Sequence, residues 1–193
     1  MMRPARAALW LALLGASAFG CYAGESRAIS PQRASALAAD PAWIFAPDVP
    51  FVAQRSDSDC GPAALAMVLA HFGVPASLAE VVAADPPRDG GVRAGDLRDL
   101  ARAKGLSAFV VAGTFADLFE QLEHGRPVLV GLAKPMTGGR AMAHYEVVVA
   151  VDRRDHRLLT LDPAHGLSEN SLEAFAREWA PTGRVTLIVF RPA

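Results

Sequence analysis

Apolar residues along this chain change their spacing near its middle. Between Asp59 and Phe72 they crowd together as Ala64, Leu65, Met67, Val68, Leu69 and Phe72, with no breaker after Pro62 and with Gly73 where a left-handed residue ends a helix. This predicts a helix buried on all sides, with Asp59 as its N-cap and Pro62 in its first turn, where the missing N–H costs nothing. Leu78 to Ala84 and Ala94 to Lys104 predict two more helices, joined by a loop from Asp85 to Gly91, and Leu106 to Val111 predicts a strand. Thr114 caps a further helix that runs to His124, with Phe115, Leu118, Phe119 and Leu122 on one face and Gly125 closing it. Beyond that point Pro127 to Leu132, His144 to Val151, Leu158 to Leu161 and Arg184 to Phe190 are rich in Val, Ile and Leu at strand length. One helix, Ser171 to Trp179, lies between the last two strands. Helices first and an antiparallel sheet second, with no βαβ alternation, give an α+β class.

The N-terminus has a different character. Arg3 and Arg6 precede the uncharged stretch Ala7 to Ala18, and small residues follow, which is the order of a signal peptide over residues 1–20. The apolar run is shorter than the roughly 20 residues that span a bilayer. Ala18-Phe19-Gly20-Cys21 resembles a lipoprotein cleavage box, so Cys21 is expected to be lipidated and to anchor the chain in the outer membrane, facing the periplasm. The alternative is ordinary cleavage after Ala23 and release into the periplasm. Residues 21–49, rich in Ala, Ser and Pro and without sustained period, are expected to form a tether, with a short helical turn at Ala34 to Ala39. One domain over residues 50–193 comes next, starting at the extended segment Pro50-Phe51-Val52.

Composition excludes some functions. The net charge is −1 and the 19 basic residues are scattered, so no surface is expected to hold nucleic acid. No His, Cys or Asp pair has metal-ligand spacing, so neither a metal nor another cofactor is expected. Membrane contact is expected only through a lipid at Cys21. There are two cysteines, and once Cys21 is lipidated or removed, Cys60 is a lone thiol in an oxidising compartment.

Cys60 sits at a predicted helix N-terminus, whose unsatisfied N–H groups favour a thiolate. An imidazole partner is still needed to hold the ion pair and protonate a leaving amine. Of the five histidines, His71 lies about 16 Å along the same helix from Cys60. His124 closes a helix, His156 falls in a charged turn, and His165 follows Pro163 in a loop. His144 remains, opening a strand after the flexible loop Thr137-Gly138-Gly139-Arg140. Asp162 closes the next strand. A hairpin turn centred on Arg154 pairs Asp152 with His156 and Glu146 with Asp162, which sets Asp162 on the face of His144, roughly 7–8 Å away between Cα atoms. A two-residue turn at Arg154-Asp155 sends it to the other face, so the site demands an odd-length turn or a bulge. Gln54, in the loop before the helix, can add a side-chain donor to the Cys60 backbone N–H for an oxyanion.

Val52-Ala53-Gln54, the run Asp59-Cys60-Gly61-Pro62 through Leu69, His144-Tyr145 at the head of a valine-rich strand, and Asp162-Pro163 followed by Gly166 together resemble the bacteriocin-processing cysteine peptidases. Those enzymes belong to the papain-like superfamily and cut leader peptides after a double glycine. The resemblance runs from Pro50 to Ala193. It implies a papain-like fold with the Cys helix packed on the sheet, a peptide or protein substrate cut after small or Gly residues, and an acyl-enzyme mechanism. It also implies Gln54 for the oxyanion hole, Cys60 for attack, His144 for base and acid, and Asp162 for orienting the imidazole. Members are commonly fused to an export transporter; this sequence carries no such helices or ATP-binding motif and resembles stand-alone exported members. Two other functions stay open: a non-catalytic peptide-binding module on this fold, and an amidase or transglutaminase-type acyl transferase.

Overall fold

The structure is a computed structural model and describes residues 21–87 and 91–192, so the expected signal peptide over residues 1–20 lies outside the described residues. Its helices are α1 (Pro31–Ala38), α2 (Cys60–His71), α3 (Leu78–Ala84), α4 (Ala94–Ala103), α5 (Phe115–Glu123) and α6 (Leu172–Trp179). Its strands are β1 (Arg27–Ala28), β2 (Trp43–Phe45), β3 (Ser107–Ala112), β4 (Val128–Met136), β5 (Arg140–Asp152), β6 (Arg157–Asp162), β7 (Gly166–Ser171) and β8 (Val185–Phe190). All join one antiparallel sheet in the order β1-β7-β6-β5-β4-β8-β3, and β2 pairs with β5. The expected α+β class is therefore what the structure has. One strand of the helical half, β3, also forms the far edge of the sheet against β8.

Alternation along the central strands divides the core in two. Leu129, Val147 and Leu187 face α2 and α4, whereas Val130, Leu132 and Val148 face α5 and α6, where Leu118, Leu122, Phe175 and Trp179 are buried. Helix α2 explains why its sequence has no polar stripe, since every residue from Cys60 to Leu69 is buried. Each large apolar side chain there contributes about 1.5–3 kcal/mol on burial. Its end is fixed by Gly73 at φ 67°, whose N–H bonds Ala70 O at 2.9 Å while the Val74 N–H bonds Leu69 O at 2.9 Å. Asp59 stands at the N-cap, but its backbone is already helical and its side chain makes no bond to the helix, lying instead 3.9 Å from Arg55.

The stretch expected to be a tether, residues 21–49, is instead packed on the domain. Strand β1 pairs with β7, Trp43 and Leu37 are buried, and the Ala46 N–H donates to Val149 O at 2.8 Å. Two- and three-residue strands leave no period to detect. Strand β7, Gly166 to Ser171, also escapes the hydrophobic pattern because it carries Ser168, Glu169 and Asn170 as buried polar residues between β6 and β1.

Candidate active site

The site forms where Cys60, at the N-terminus of α2, meets His144 of β5 and Asp162 of β6. His144 does not open its strand: β5 begins at Arg140, and His144 pairs with Leu132 well inside the sheet, only 5% exposed. The preceding loop is a tight turn, with Met136 opposite Arg140 and Gly138 and Gly139 both at positive φ.

The hairpin between β5 and β6 meets the sequence's demand through a bulge. Asp152 pairs with Arg157, not His156, so the turn spans Arg153 to His156. The register then shifts between Val148 and Ala150, after which Val148 faces Thr160 and Val147 faces Leu161. Continued by one pair, that register brings Asp162 opposite Glu146 and onto the face of His144. The His144 Nε2–H donates to Asp162 Oδ1 at 2.8 Å. His144 is also hydrogen-bonded to Cys60, for which Nδ1 is the remaining ring nitrogen.

Electrostatics reflect burial and these bonds. Burial disfavours a charged His144, but the Asp162 and Cys60 bonds, together with the charges of Asp162 and Glu146, outweigh it and push the imidazole up to about 10. Asp162 is held well below the usual carboxylate range: burial opposes this, but His144, His165 and the Ala164 N–H all stabilise its charge. His144 is thus an imidazolium and Asp162 a carboxylate at neutral pH.

The other histidines separate as expected, except one. His71 Nδ1–H donates to Pro47 O at 2.9 Å and His124 Nδ1–H to Glu120 O at 2.7 Å, while His156 occupies the turn at φ 53°. His165, expected only as a loop residue, donates from Nδ1 to Asp162 Oδ2 at 2.9 Å and remains largely exposed. Its spacing of three residues after Asp162 within one turn is the signal in the sequence that points to this bond. Gln54 reaches the site through its backbone, whose N–H donates to Pro163 O at 3.0 Å. Its Oε1 is buried with no partner among the described residues.

Beside the triad lies a second charged group that strand periodicity does not reveal. Lys134 Nζ stands 2.7 Å from Glu146 Oε1 and 2.9 Å from Glu178 Oε2, and 4.7 Å from the centre of the Tyr22 ring. The Tyr22 hydroxyl donates to the other oxygen of Glu178. Ligand atoms of His144, Glu146 and Asp162 come within 4.8 Å of one another. Lys134 already supplies the cation beside Glu146, and two histidines share Asp162, so these residues make a charge network rather than a set of free metal ligands.

A cleft of about 580 Å³ borders Gln54, His144 and Asp162, and Cys21, Tyr22, Ser26 and Ala28 line it together with Met136 and Met142. Cys21, expected to carry a lipid, is exposed at this cleft and is a free thiol here. Among the described residues no helix is long and apolar enough to cross a membrane.

The family model described as Peptidase C39 family matches residues 48–192. An uncharacterized protein of Methanothermobacter marburgensis is 33% identical over 144 residues, covering 75% of this chain and 91% of its own. The peptidase domain of Streptococcus ComA, a bifunctional ABC transporter of a quorum-sensing pathway, aligns with a TM-score of 0.61 at 26% identity, over 75% of this chain and 99% of that one. A double-glycine-motif protease from an AMS/PCAT transporter, solved with its leader peptide, aligns with a TM-score of 0.59 at 24% identity, over 75% and 93%.

Proposed function

The chain belongs to the peptidase C39 family of papain-like cysteine peptidases, and on that premise we propose that it is exported and hydrolyses a peptide bond through a Cys60–His144 thiolate–imidazolium pair. The observation that carries this reading is His144 bonded to Cys60 and Asp162 at once while buried. In the reaction the Cys60 thiolate adds to the scissile carbonyl carbon. The Cys60 backbone N–H and the Gln54 side-chain amide receive the oxyanion. His144 then gives its proton to the departing nitrogen, the C–N bond breaks and a thioester remains. Water, deprotonated by His144, adds to that thioester; the acid product leaves and the thiolate returns. Asp162 holds the imidazole by its Nε2–H throughout.

The substrate is a peptide or protein cut after small or Gly residues. Support comes from the double-glycine protease of similar fold, which was solved with a leader peptide. Lipidation at Cys21 would anchor the domain in the outer membrane on its periplasmic side.

Alkylation of the exported protein with iodoacetamide across pH tests the ion pair. A thiol that reacts at neutral pH and below supports it; one that reacts only as a free thiol titrates, near pH 8.5, sinks it. Peptide termini in the exported proteome, compared with those of a Cys60→Ala strain, test the activity. An unchanged set favours a binding module. Palmitate labelling that is lost in Cys21→Ser supports the anchor, and labelling that persists refutes it.

A further inference from the structure

We propose that residues 21–28, with Met136 and Met142, form the subsite for the leaving-group side of the substrate, and that this subsite takes an apolar side chain. The inference rests on the peptidase reading and adds to it a specificity element that precedes the stretch matched by the family, which begins at residue 48.

Chemistry fixes the direction. His144 must reach the nitrogen that departs, so the substrate residue carrying that nitrogen lies against His144. The cleft that borders His144 and Asp162 continues from there to Met136, Met142 and the N-terminal segment, and receives the substrate residues on the C-terminal side of the scissile bond.

The N-terminal wall is built, not draped. At one end Cys21 O accepts from the Thr137 N–H at 2.8 Å, and the Ala23 N–H donates to Pro135 O at 2.8 Å, beside the end of β4. At the other end Arg27 and Ala28 pair with Glu169 and Ser168 of β7. Strands β5 and β6 lie between β4 and β7, so the segment crosses them as a strap. Tyr22 pins the crossing: its hydroxyl donates to Glu178 and accepts from the Ser26 N–H at 3.0 Å. Gly24 has no room for a side chain against Tyr22 and Glu178, so the strap approaches as closely as backbone allows.

The lining selects for apolar groups. Met136, Met142, Ala28 and Ala164 are its apolar members, and Met142 is 42% exposed. Its buried charges are already neutralised, Lys134 by Glu146 and Glu178 and Asp162 by two histidines. An acidic side chain entering here would lose water, meet the exposed carboxylate of Asp57 and find Lys134 already paired, whereas the flexible methionines can close over an aliphatic one.

The test uses the mature chain with Cys60→Ala and ¹³C-methyl methionine, titrated with the dipeptide amides Leu-Gly-NH2 and Asp-Gly-NH2. The leucyl amide is expected to shift the Met136 and Met142 methyl signals and to bind about tenfold or more tightly than the aspartyl amide. Met142→Ser and Gly24→Val are each expected to shrink that ratio, with folding checked by the remaining methyl signals. Equal binding of the two amides, or shifts confined to other methionines, overturns the proposal. In a second arm the active protein is acylated with a fluorogenic ester, and the same amides compete with water for the acyl group. Acyl transfer indifferent to the acceptor side chain defeats the subsite while leaving the peptidase reading intact. Absence of an acyl-enzyme, with the methyl shifts present, defeats the peptidase reading and with it the leaving-group assignment, leaving only an apolar binding site.

Discussion

Two buried ionic pairs share one face of the central sheet, His144 with Asp162 and Lys134 with Glu146, and the strand places His144 and Glu146 only two residues apart. Both bonds are short, 2.8 and 2.7 Å, and all four side chains are almost wholly buried. They differ in what lies at the cation. His144 touches Cys60, and its pKa of about 10 leaves a proton it can lose and regain. Lys134 is enclosed by Glu146, Glu178 and the Tyr22 ring, and those two carboxylates raise an already basic group further against the pull of burial. Burial of charge is thus common to chemistry and to scaffold. In the proposed mechanism only the first pair, a cation whose proton can move beside a thiol, does chemistry.

The contrast is testable. Cys60→Ala is expected to lower kcat by about 10⁵-fold or more with an unchanged melting temperature, measured by peptide hydrolysis and calorimetry. Asp162→Asn comes next, at about 10²–10⁴-fold, since the imidazole loses its orienting acceptor; near-wild-type turnover would remove Asp162 from the machinery. Lys134→Met should act on the other pair, costing about 3–5 kcal/mol in urea unfolding because Glu146 and Glu178 are left buried without a cation. A Lys134→Met protein of unchanged stability that has lost kcat would erase the distinction between the two pairs.

pH separates the pairs more finely. The folded pKa of His144 is raised, so its contribution to stability is complete below its ordinary value near 6.5 and is lost as pH climbs towards 10. The stability gap between the wild type and His144→Gln should therefore narrow from pH 6.5 to 10, while the gap to Lys134→Met stays level. A level His144 gap would contradict the raised pKa. Asp162 works in the opposite sense, its contribution being present above pH about 4 and lost on acidification. The smallest effect belongs to His165→Ala, below about 1 kcal/mol in stability and a few-fold in rate, because that ring is largely exposed.

The site is legible in the sequence wherever a single element carries the signal. Continuous apolar residues, Pro62 and Gly73 define α2 and with it the place of Cys60. Elimination among histidines leaves His144, and alternation requires that Asp162 share its face. The features hidden from the sequence are those produced by pairing between distant segments. Lys134, Glu146 and Glu178 come from β4, β5 and α6, and nothing in the local pattern of any one of them marks the other two. Strand β7 is polar because its neighbours, not an apolar face, hold it. Residues 21–49 resemble a tether because strands of two and three residues have no period, though Trp43 and Leu37 within them are buried.

The register of the β5–β6 hairpin sets where this chain can change length. Residues added to the turn from Arg153 to His156 only enlarge a surface loop and leave every pair of the ladder in place. Removing Thr160 from β6 does not have that freedom. The shortened strand could keep the turn and the bulge and carry Asp162 opposite Val147, onto the other face, or keep Asp162 opposite Glu146 and break the pairs next to the turn. Insertions at the hairpin tip are thus tolerable in any number, while one deletion a few residues away forces a choice between the hairpin and the triad.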